Sequence, residues 1–207
     1  MIYELDPART ALLVIDVQRE YFDEGRPLAI PGADQVLPAI KNLVEAARQS
    51  GATPVFIRHA HNPDGSDVGR MGDFDDSEDE DAFIEGTTWV DYVDGIGPAP
   101  GELEVTKTRY SAFAGTALQV ELESRGIDTV LITGLMTQYC SVTTARHAHD
   151  LDFRTLFVSD ANFGPDLPDL GFGEVAHAET LKAIATALAG GVAEVISAEE
   201  AIGRLSG

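Results

Sequence analysis

Cys140, the only cysteine of the 207-residue chain, stands where an apolar strand gives way to a helix. The strand is predicted over residues 129–133 and the helix from about 141 to 151, where apolar or small residues recur at helical spacing. Backbone N–H groups and the helix dipole at such a junction favour thiolate over thiol, which predicts a lowered cysteine pKa and a nucleophile. The alternative is a small buried side chain, as free cysteines often are.

Two charged residues belong to other predicted strands. Asp16 interrupts a nearly continuous apolar run that is typical of a central parallel strand, and Lys107, one of only three lysines, follows residues 103–106. Because ligand sites of open α/β sheets lie at the carboxyl ends of the strands, Asp16 and Cys140 are expected to share one crevice. The alternative for Asp16 and Lys107 is a buried ion pair kept for stability, which is poorly motivated energetically.

The elements that position these residues alternate between strand and helix. The rhythm predicts one domain over residues 1–207 with a three-layer α/β/α sandwich and a mainly parallel, roughly six-stranded Rossmann-like sheet. Strands are predicted near 10–16, 53–58, 103–106, 129–133, 154–159 and 193–196, and helices near 34–50, 115–125, 140–151, 173–189 and 197–205.

Three motifs in chain order resemble the isochorismatase-like cysteine hydrolase superfamily, which includes nicotinamidases, N-carbamoylsarcosine amidases and ureidoacrylate amidohydrolases. They are Asp16-Val17-Gln18, the segment Lys107-x-Arg-Tyr-Ser-Ala-Phe, and Gly134-x-x-Thr137-x-x-Cys140. Each motif alone is weak evidence, whereas the three in order with βα alternation between them are specific.

The resemblance implies a catalytic triad of Asp16, Lys107 and Cys140 that hydrolyses a small-molecule amide or ureido bond through a thioester-type intermediate. Asp16 would take the thiol proton, and Lys107 would keep that carboxylate charged in a desolvated cleft. The resemblance also implies an oxyanion hole formed by the N–H groups of Met136 and Cys140, with a cis peptide bond between Leu135 and Met136. True isochorismatases generally lack the cysteine, so Cys140 favours C–N hydrolysis.

The chain departs from the metal-binding pattern of nicotinamidases at the end of the second strand. His59 stands where those enzymes carry an aspartate, and His61 follows two residues later. Asp64 and Asp67 are the nearby oxygen donors that would have to complete a metal site. Two histidines at this spacing are a weak metal signal, so no cofactor is expected, and His59 and His61 are predicted at the mouth of the substrate pocket.

Other candidate pocket residues are mainly aromatic. An aromatic wall suits a flat or extended amide, although core packing is the more ordinary role for each ring taken singly. The remaining predicted substrate-binding residues are Phe22, Trp89, Tyr110, Phe113 and Thr137.

The charge balance restricts the partners. The chain has 35 Asp and Glu against 14 Lys and Arg, a formal net charge of -21, which predicts a surface adapted to a salt-rich cytoplasm. Nucleic acid and membranes are not expected partners, because both are bound through basic patches. The acidic run 73–81 is predicted to be a solvated insertion that could cover the pocket as a lid.

Further expectations concern processing, assembly and two competing functions. No signal peptide or membrane-spanning run is recognised, and a homo-oligomer, a dimer or tetramer, is expected by resemblance. Competing hypotheses are a zinc-dependent nicotinamidase and a non-catalytic binding member of the same fold.

Overall fold

The computed structural model describes residues 4–74 and 82–207. Most of the acidic run 73–81, and with it the predicted lid, therefore lies outside the described residues. Among those described, no helix is both long and apolar enough to cross a bilayer.

Six strands form one parallel sheet in the order β3-β2-β1-β4-β5-β6. The strands are β1 (Thr10–Ile15), β2 (Thr53–His59), β3 (Leu103–Lys107), β4 (Thr129–Leu135), β5 (Arg154–Phe163) and β6 (Glu194–Ile196). Every residue of β1 and β4 is buried, as expected of central strands covered on both faces. This sheet confirms the predicted fold class.

Helices cover both faces of the sheet and complete the three layers. They are α1 (Leu37–Ser50), α2 (Leu118–Ser124), α3 (Val142–Asp150), α4 (His177–Ala189) and α5 (Ala198–Ser206). Alternate residues of β1 point to opposite faces: Leu12 and Val14 pack in the core layer that holds α1 and α5, whereas Leu13 and Ile15 pack in the layer that holds α2, α3 and α4.

The strand order reverses between β1 and β4, because the chain runs outward through β2 and β3 and then returns to the other side of β1. Such a switch point leaves a crevice at the carboxyl ends of the two strands. Asp16 follows β1, and the segment carrying Cys140 follows β4. The topology therefore places the predicted catalytic residues at this crevice.

The predicted elements exist, but several boundaries differ. α1 is preceded by a 3-10 turn over Ala33–Val36, and α4 begins at His177 instead of 173. β5 continues to Phe163, where the pairing with β4 is irregular, and the Asn162 side chain donates to the carbonyls of Ile132 and Val158. Polar side chains that pair with the backbone in this way extend a strand beyond its apolar run.

Candidate active site

The carboxylate of Asp16, the ammonium of Lys107 and the thiol of Cys140 lie together at the carboxyl edge of the sheet. Nζ of Lys107 is 2.8 Å from Oδ2 of Asp16 and donates a 3.2 Å hydrogen bond to Sγ of Cys140. A carboxylate oxygen of Asp16 and Sγ of Cys140 are within 4.8 Å of each other. No member of the trio is more than 2% exposed. A carboxylate, an ammonium and a thiol thus share a desolvated space.

Asp16 occupies its position through an unusual backbone conformation. Its φ of 51° is left-handed, a region that aspartate tolerates better than most residues. Its N–H donates to the carbonyl of Ile57 at 2.9 Å, which ties the residue to β2. The turn aims the carboxylate back into the crevice instead of continuing the alternation of β1. The carboxylate is fully buried there, and the Lys107 ammonium lies 2.8 Å from its Oδ2.

Gly134 allows β4 to pass close to β1 just before the cysteine turn. Its φ is 120°, and a Cβ at this position would lie 2.0 Å from the carbonyl oxygen of Ile15. Only glycine permits both the backbone angle and the contact. The approach brings the segment after β4 alongside the residue after β1.

Cys140 lies in a wide π-helical turn, Thr137–Ser141, that precedes α3. The N–H groups of Tyr139 and Ser141 both donate to the carbonyl of Met136, at 3.1 and 3.2 Å. The peptide bond between Leu135 and Met136 is cis, as the resemblance implied. Cys140 is therefore inside a π turn and not the first residue of an α-helix, which differs from the sequence prediction.

The predicted lowering of the Cys140 pKa is wrong. Burial raises the pKa of the thiol to about 12, although Lys107 acts in the opposite direction. Burial likewise raises the pKa of Asp16 against the lowering effect of Lys107. The pKa of Lys107 is raised because Asp16 and Cys140 outweigh the cost of its own burial. The resting site thus contains a thiol, and thiolate forms only when a base removes its proton.

His59 and His61 lie deeper than the pocket mouth at which they were predicted. They are 2% and 6% exposed, and their Nε2 atoms are 2.9 Å apart. Nδ1 of His61 is 3.2 Å from Oδ1 of Asp67, and a ring nitrogen of His59 is within 4.8 Å of the Asp16 carboxylate and the Cys140 thiol. A hydrogen-bonded chain of side chains thus reaches the trio from a partly exposed carboxylate.

Both imidazoles are held neutral by their surroundings. Burial, assisted by Lys107, His61 and Arg109, lowers the pKa of His59 well below its ordinary value. Burial also lowers the pKa of His61, although the Asp67 carboxylate opposes the shift. Neutral histidines can bind either a metal or a polar substrate group.

The donor set does not fit a metal ion well. In the described part of the chain, the convergent group of three candidate ligands is Asp16, His59 and Cys140, and the Lys107 ammonium already contacts two of these. Asp67 meets the Nδ1 of His61, on the ring side away from the Nε2 that faces His59. A metal between the two Nε2 atoms would consequently not have Asp67 as a ligand.

The predicted aromatic pocket residues separate into different environments. Tyr110 stacks on Tyr139 at 5.2 Å between ring centroids, and each ring is about 40% exposed, at 39% and 41%. Tyr139 immediately precedes Cys140 and Tyr110 follows Lys107 by three residues, so this stacked pair stands at an accessible edge beside the trio. Thr137 is fully buried, and its hydroxyl has no hydrogen-bond partner among the described residues.

Three other predicted pocket aromatics have different contacts. Phe113 is buried in the core layer of α2 and α3, where it packs against Phe153 and His147. The Trp89 ring is covered by the guanidinium of Arg26, 4.6 Å from its centroid. Phe22 lines a separate depression whose lining does not include the trio. Hydrophobicity and sequence proximity did not distinguish core packing from pocket lining.

Two buried residues beside the site were not predicted as site residues, although Gln18 belongs to the first of the three motifs. Tyr21 is 2% exposed, and its pKa is raised by burial and further by the charges of Cys140 and Asp16, which places the ring near both. The Gln18 amide accepts from the His59 N–H and donates to the His59 and Val90 carbonyls, so it fixes the end of β2. A polar residue directly after an apolar strand was the available signal for Gln18.

The fold and the trio define a class of protein: a three-layer α/β/α fold with a buried cysteine, lysine and aspartate at the switch point of a parallel sheet. The family model described as Isochorismatase domain matches residues 10–200. The chain therefore belongs to the isochorismatase family of hydrolases.

Similar proteins include enzymes and a protein named as inactive. A probable inactive nicotinamidase of Arabidopsis thaliana is 33% identical over 152 residues, covering 72% of this chain and 77% of that protein. A ureidoacrylate amidohydrolase of Methylorubrum extorquens is 30% identical over 194 residues, covering 84% and 78%. The crystal structure of a cysteine hydrolase from Pseudomonas syringae pv. phaseolicola matches with a TM-score of 0.95 at 30% identity, covering 99% of this chain and 96% of that one.

Proposed function

We propose that the protein is a cysteine-dependent hydrolase that cleaves a C–N bond of a small-molecule amide or ureido compound. The observation that carries the proposal is Nζ of Lys107, which contacts both the Asp16 carboxylate and the Cys140 thiol in a site sealed from water. A pair retained only for stability would be costly to bury and would not require a nucleophile on the same ammonium.

The proposed reaction begins with transfer of the Cys140 proton to Asp16. The sulfur then forms a bond to the substrate carbonyl carbon, and the C–N bond breaks as Asp16 returns the proton to the departing nitrogen. A water molecule, deprotonated by Asp16, cleaves the resulting thioester and releases the acid with the free thiol. Lys107 keeps Asp16 ionised between these steps and stabilises the transient thiolate.

The oxyanion of each tetrahedral intermediate is proposed to bind the N–H groups of Met136 and Cys140. Such fixed donors lower a barrier by roughly 2.7–4 kcal/mol each in a comparable enzyme. Support for a ligand at this turn comes from Thr137, because a buried hydroxyl without a partner is expected to acquire one when a polar ligand binds.

Two alternative functions are compatible with the same fold. A zinc-dependent nicotinamidase is disfavoured by the position of Asp67 on the far side of His61. A non-catalytic binding protein is supported by the Arabidopsis relative named as a probable inactive nicotinamidase, but here a nucleophile, a base and a cation are all in contact range.

The test is ammonia release from nicotinamide, maleamate, N-carbamoyl amino acids, ureidoacrylate and biuret, at high KCl, by the wild type and by Cys140→Ala and Cys140→Ser. We expect turnover of at least one compound by the wild type and a loss of roughly 10³-fold or more in both variants. Turnover that persists in Cys140→Ala would contradict the thiol mechanism. Turnover abolished by a chelator would support the hypothesis that His59 and His61 bind a metal ion.

We also propose that the protein forms a homo-oligomer in a salt-rich cytoplasm. Support for assembly comes from Leu170 and Phe172, which are 81% and 96% exposed on a loop closed by the backbone pair of Leu167 and Val175. The Asp169 carboxylate accepts from two N–H groups of the same loop and shapes its tip. Light scattering on the wild type and on Phe172→Ser would measure the assembly and the contribution of this tip.

A further inference from the structure

We propose that Asp67 and His61 are positioning residues that hold His59 with its proton on Nε2, so that the Nδ1 lone pair of His59 accepts a hydrogen bond from an N–H group of the substrate. The inference rests on the proposed function and adds to it a requirement on the substrate: a carbamoyl or ureido N–H beside the scissile carbon.

The proton positions follow from the contacts along the chain of side chains. Asp67 Oδ1 already accepts the Asn62 N–H at 3.0 Å, and an ionised carboxylate only accepts hydrogen bonds. The proton between His61 and Asp67 is therefore carried by Nδ1 of His61, which donates to Oδ1 of Asp67. Since His61 is neutral, its Nε2 carries a lone pair.

The contact between the Nε2 atoms of His61 and His59 then determines which nitrogen of His59 carries the proton. Two nitrogens 2.9 Å apart cannot both carry a proton on the line between them, so the Nε2 of His59 must supply the hydrogen. The neutral His59 is then unprotonated at Nδ1. The hydrogen bond described for the His59 ring uses Nε2, and a ring nitrogen of His59 lies within 4.8 Å of the Asp16 carboxylate and the Cys140 thiol.

The His59 ring is held rigidly enough to select a ligand. Gln18 binds both backbone polar groups of His59, and the ring stacks on Phe83 at 4.6 Å between centroids. The Phe83 carbonyl accepts the N–H of His61 at 2.7 Å. Arg109 donates to the Asp67 carbonyl at 2.7 Å and so ties the loop that carries Asp67 to the end of β3.

A fixed lone pair discriminates between substrates by chemistry. An amide or urea that presents N–H satisfies it, whereas an ester leaves it unpaired in a desolvated site, and sites built in this way strongly reject the analogue without the donor. The arrangement therefore favours C–N over C–O substrates before any bond is broken.

The first test is ¹⁵N NMR of the five histidines in the uniformly labelled protein near neutral pH, with His59→Gln and His61→Gln for assignment. We expect His59 to be protonated on Nε2 alone and His61 on Nδ1 alone. The opposite pattern, or a doubly protonated His61, would overturn the proposal. Stoichiometric Zn²⁺ that shifts both Nε2 resonances at micromolar concentration would overturn it in favour of a metal site. This measurement requires no turnover, so it stands whether or not the proposed activity is found.

The second test compares two acyl donors in Asp67→Ala and His61→Phe, with Asp64→Asn as the control for a carboxylate of the same loop that accepts the Ser66 N–H. We expect kcat/KM for the amide or ureido substrate of the panel to fall at least about tenfold in the first two variants and to be unchanged in the third. Acylation of Cys140 by p-nitrophenyl acetate, which has no N–H, should remain within about twofold in all three. Equal losses for both acyl donors would indicate a merely structural role and overturn the proposal.

Discussion

Burial makes Cys140 a neutral thiol at rest, and this determines how the residues of the trio must cooperate. A thiol with a pKa of about 12 gives almost no thiolate at neutral pH, so the helix dipole is not what activates it. In the proposed reaction the proton passes to Asp16 before the sulfur attacks, which requires an ionised Asp16. Lys107 matters because it contacts both partners in this exchange.

The pH dependence of kcat/KM should report the ionisation of Asp16. Because burial raises its pKa, acidification protonates the carboxylate at a pH above the ordinary aspartate value of about 3.9, and the base is then lost. We expect kcat/KM to fall on the acid side with a midpoint above that value. The measurement is a pH profile of the wild type with a substrate that does not titrate in this range.

Lys107→Met supplies the matched comparison for the same profile. Loss of the cation removes the largest effect that opposes burial, so the pH below which the residual activity falls should move upward. If the midpoint of the acid-side fall were the same in this variant as in the wild type, Asp16 would not be the base. A wild-type midpoint at or below the ordinary aspartate pKa would contradict the assignment equally.

Spacing along the chain revealed the residue types of the site but not their environments. Asp16, Lys107 and Cys140 were found because each interrupts or follows an apolar run, and they do converge. The direction of the Cys140 pKa shift was missed, because it depends on how completely three separate segments exclude water. Tyr21 was not predicted for the same reason, since the 3-10 turn Arg19–Tyr21 determines that Tyr21 and not the adjacent Phe22 is fully buried.

At the scale of elements, the site depends on the contact between β1 and β4. Gly134 and Ile15 are paired in register, and the glycine allows the two backbones to approach where the chain turns toward Cys140. A side chain at position 134 would have to displace the carbonyl of Ile15, which directly precedes Asp16. Rearrangement here would therefore move the Asp16 carboxylate relative to the Cys140 thiol.

Gly134→Ala should lower both stability and activity. The left-handed strain and the clash with Ile15 together are expected to cost about 3 kcal/mol or more in the free energy of unfolding. Gly126→Ala is the control, because its φ of 72° is also left-handed but nothing lies within 4 Å of the added Cβ, so only about 1–2 kcal/mol should be lost. Equal costs in urea unfolding would mean that the contact with Ile15 is unimportant.

The order and type of elements were predictable because the strands are apolar runs and the helices are amphipathic. Their ends were less so: α1 and α4 begin several residues later than predicted, after turns that the periodicity does not distinguish from helix. The π turn at Cys140 was not foreseeable, since two N–H groups sharing the Met136 carbonyl is a tertiary outcome. The cis bond at Leu135 and Met136 came from resemblance alone, because no local pattern encodes it.

At the scale of the whole molecule, the surplus of carboxylates is the dominant property. Most arginines in the described part of the chain pair with carboxylates, and with 35 acids against 14 basic residues many acids have no cation available. The pairing arginines are Arg9, Arg19, Arg26, Arg48, Arg58, Arg70, Arg125 and Arg204. The net repulsion therefore remains for the solvent ions to screen.

Thermal stability should rise with KCl. The screening length falls from about 10 Å at 0.1 M to about 3 Å at 1 M, so repulsion between surface carboxylates weakens across this range. We expect Tm to increase by roughly 5 °C, equivalent to about 1–2 kcal/mol for a domain of this size. Calorimetry at increasing KCl measures it, and sucrose at matched osmolality controls for effects that do not depend on charge. A Tm that does not change with KCl would refute the hypothesis that the acidic surface is adapted to high salt.

The sealed, protonated state of Cys140 has a consequence for inhibitors. Alkylating agents that depend on a ready-made thiolate should label the protein slowly, because the sulfur is covered and holds its proton. A nitrile or an activated carbamate of substrate shape would instead bring its own electrophilic carbon to the sulfur and draw the proton toward Asp16 as it reacts. Selective covalent ligands for this protein should consequently be found among compounds that are poor general thiol reagents.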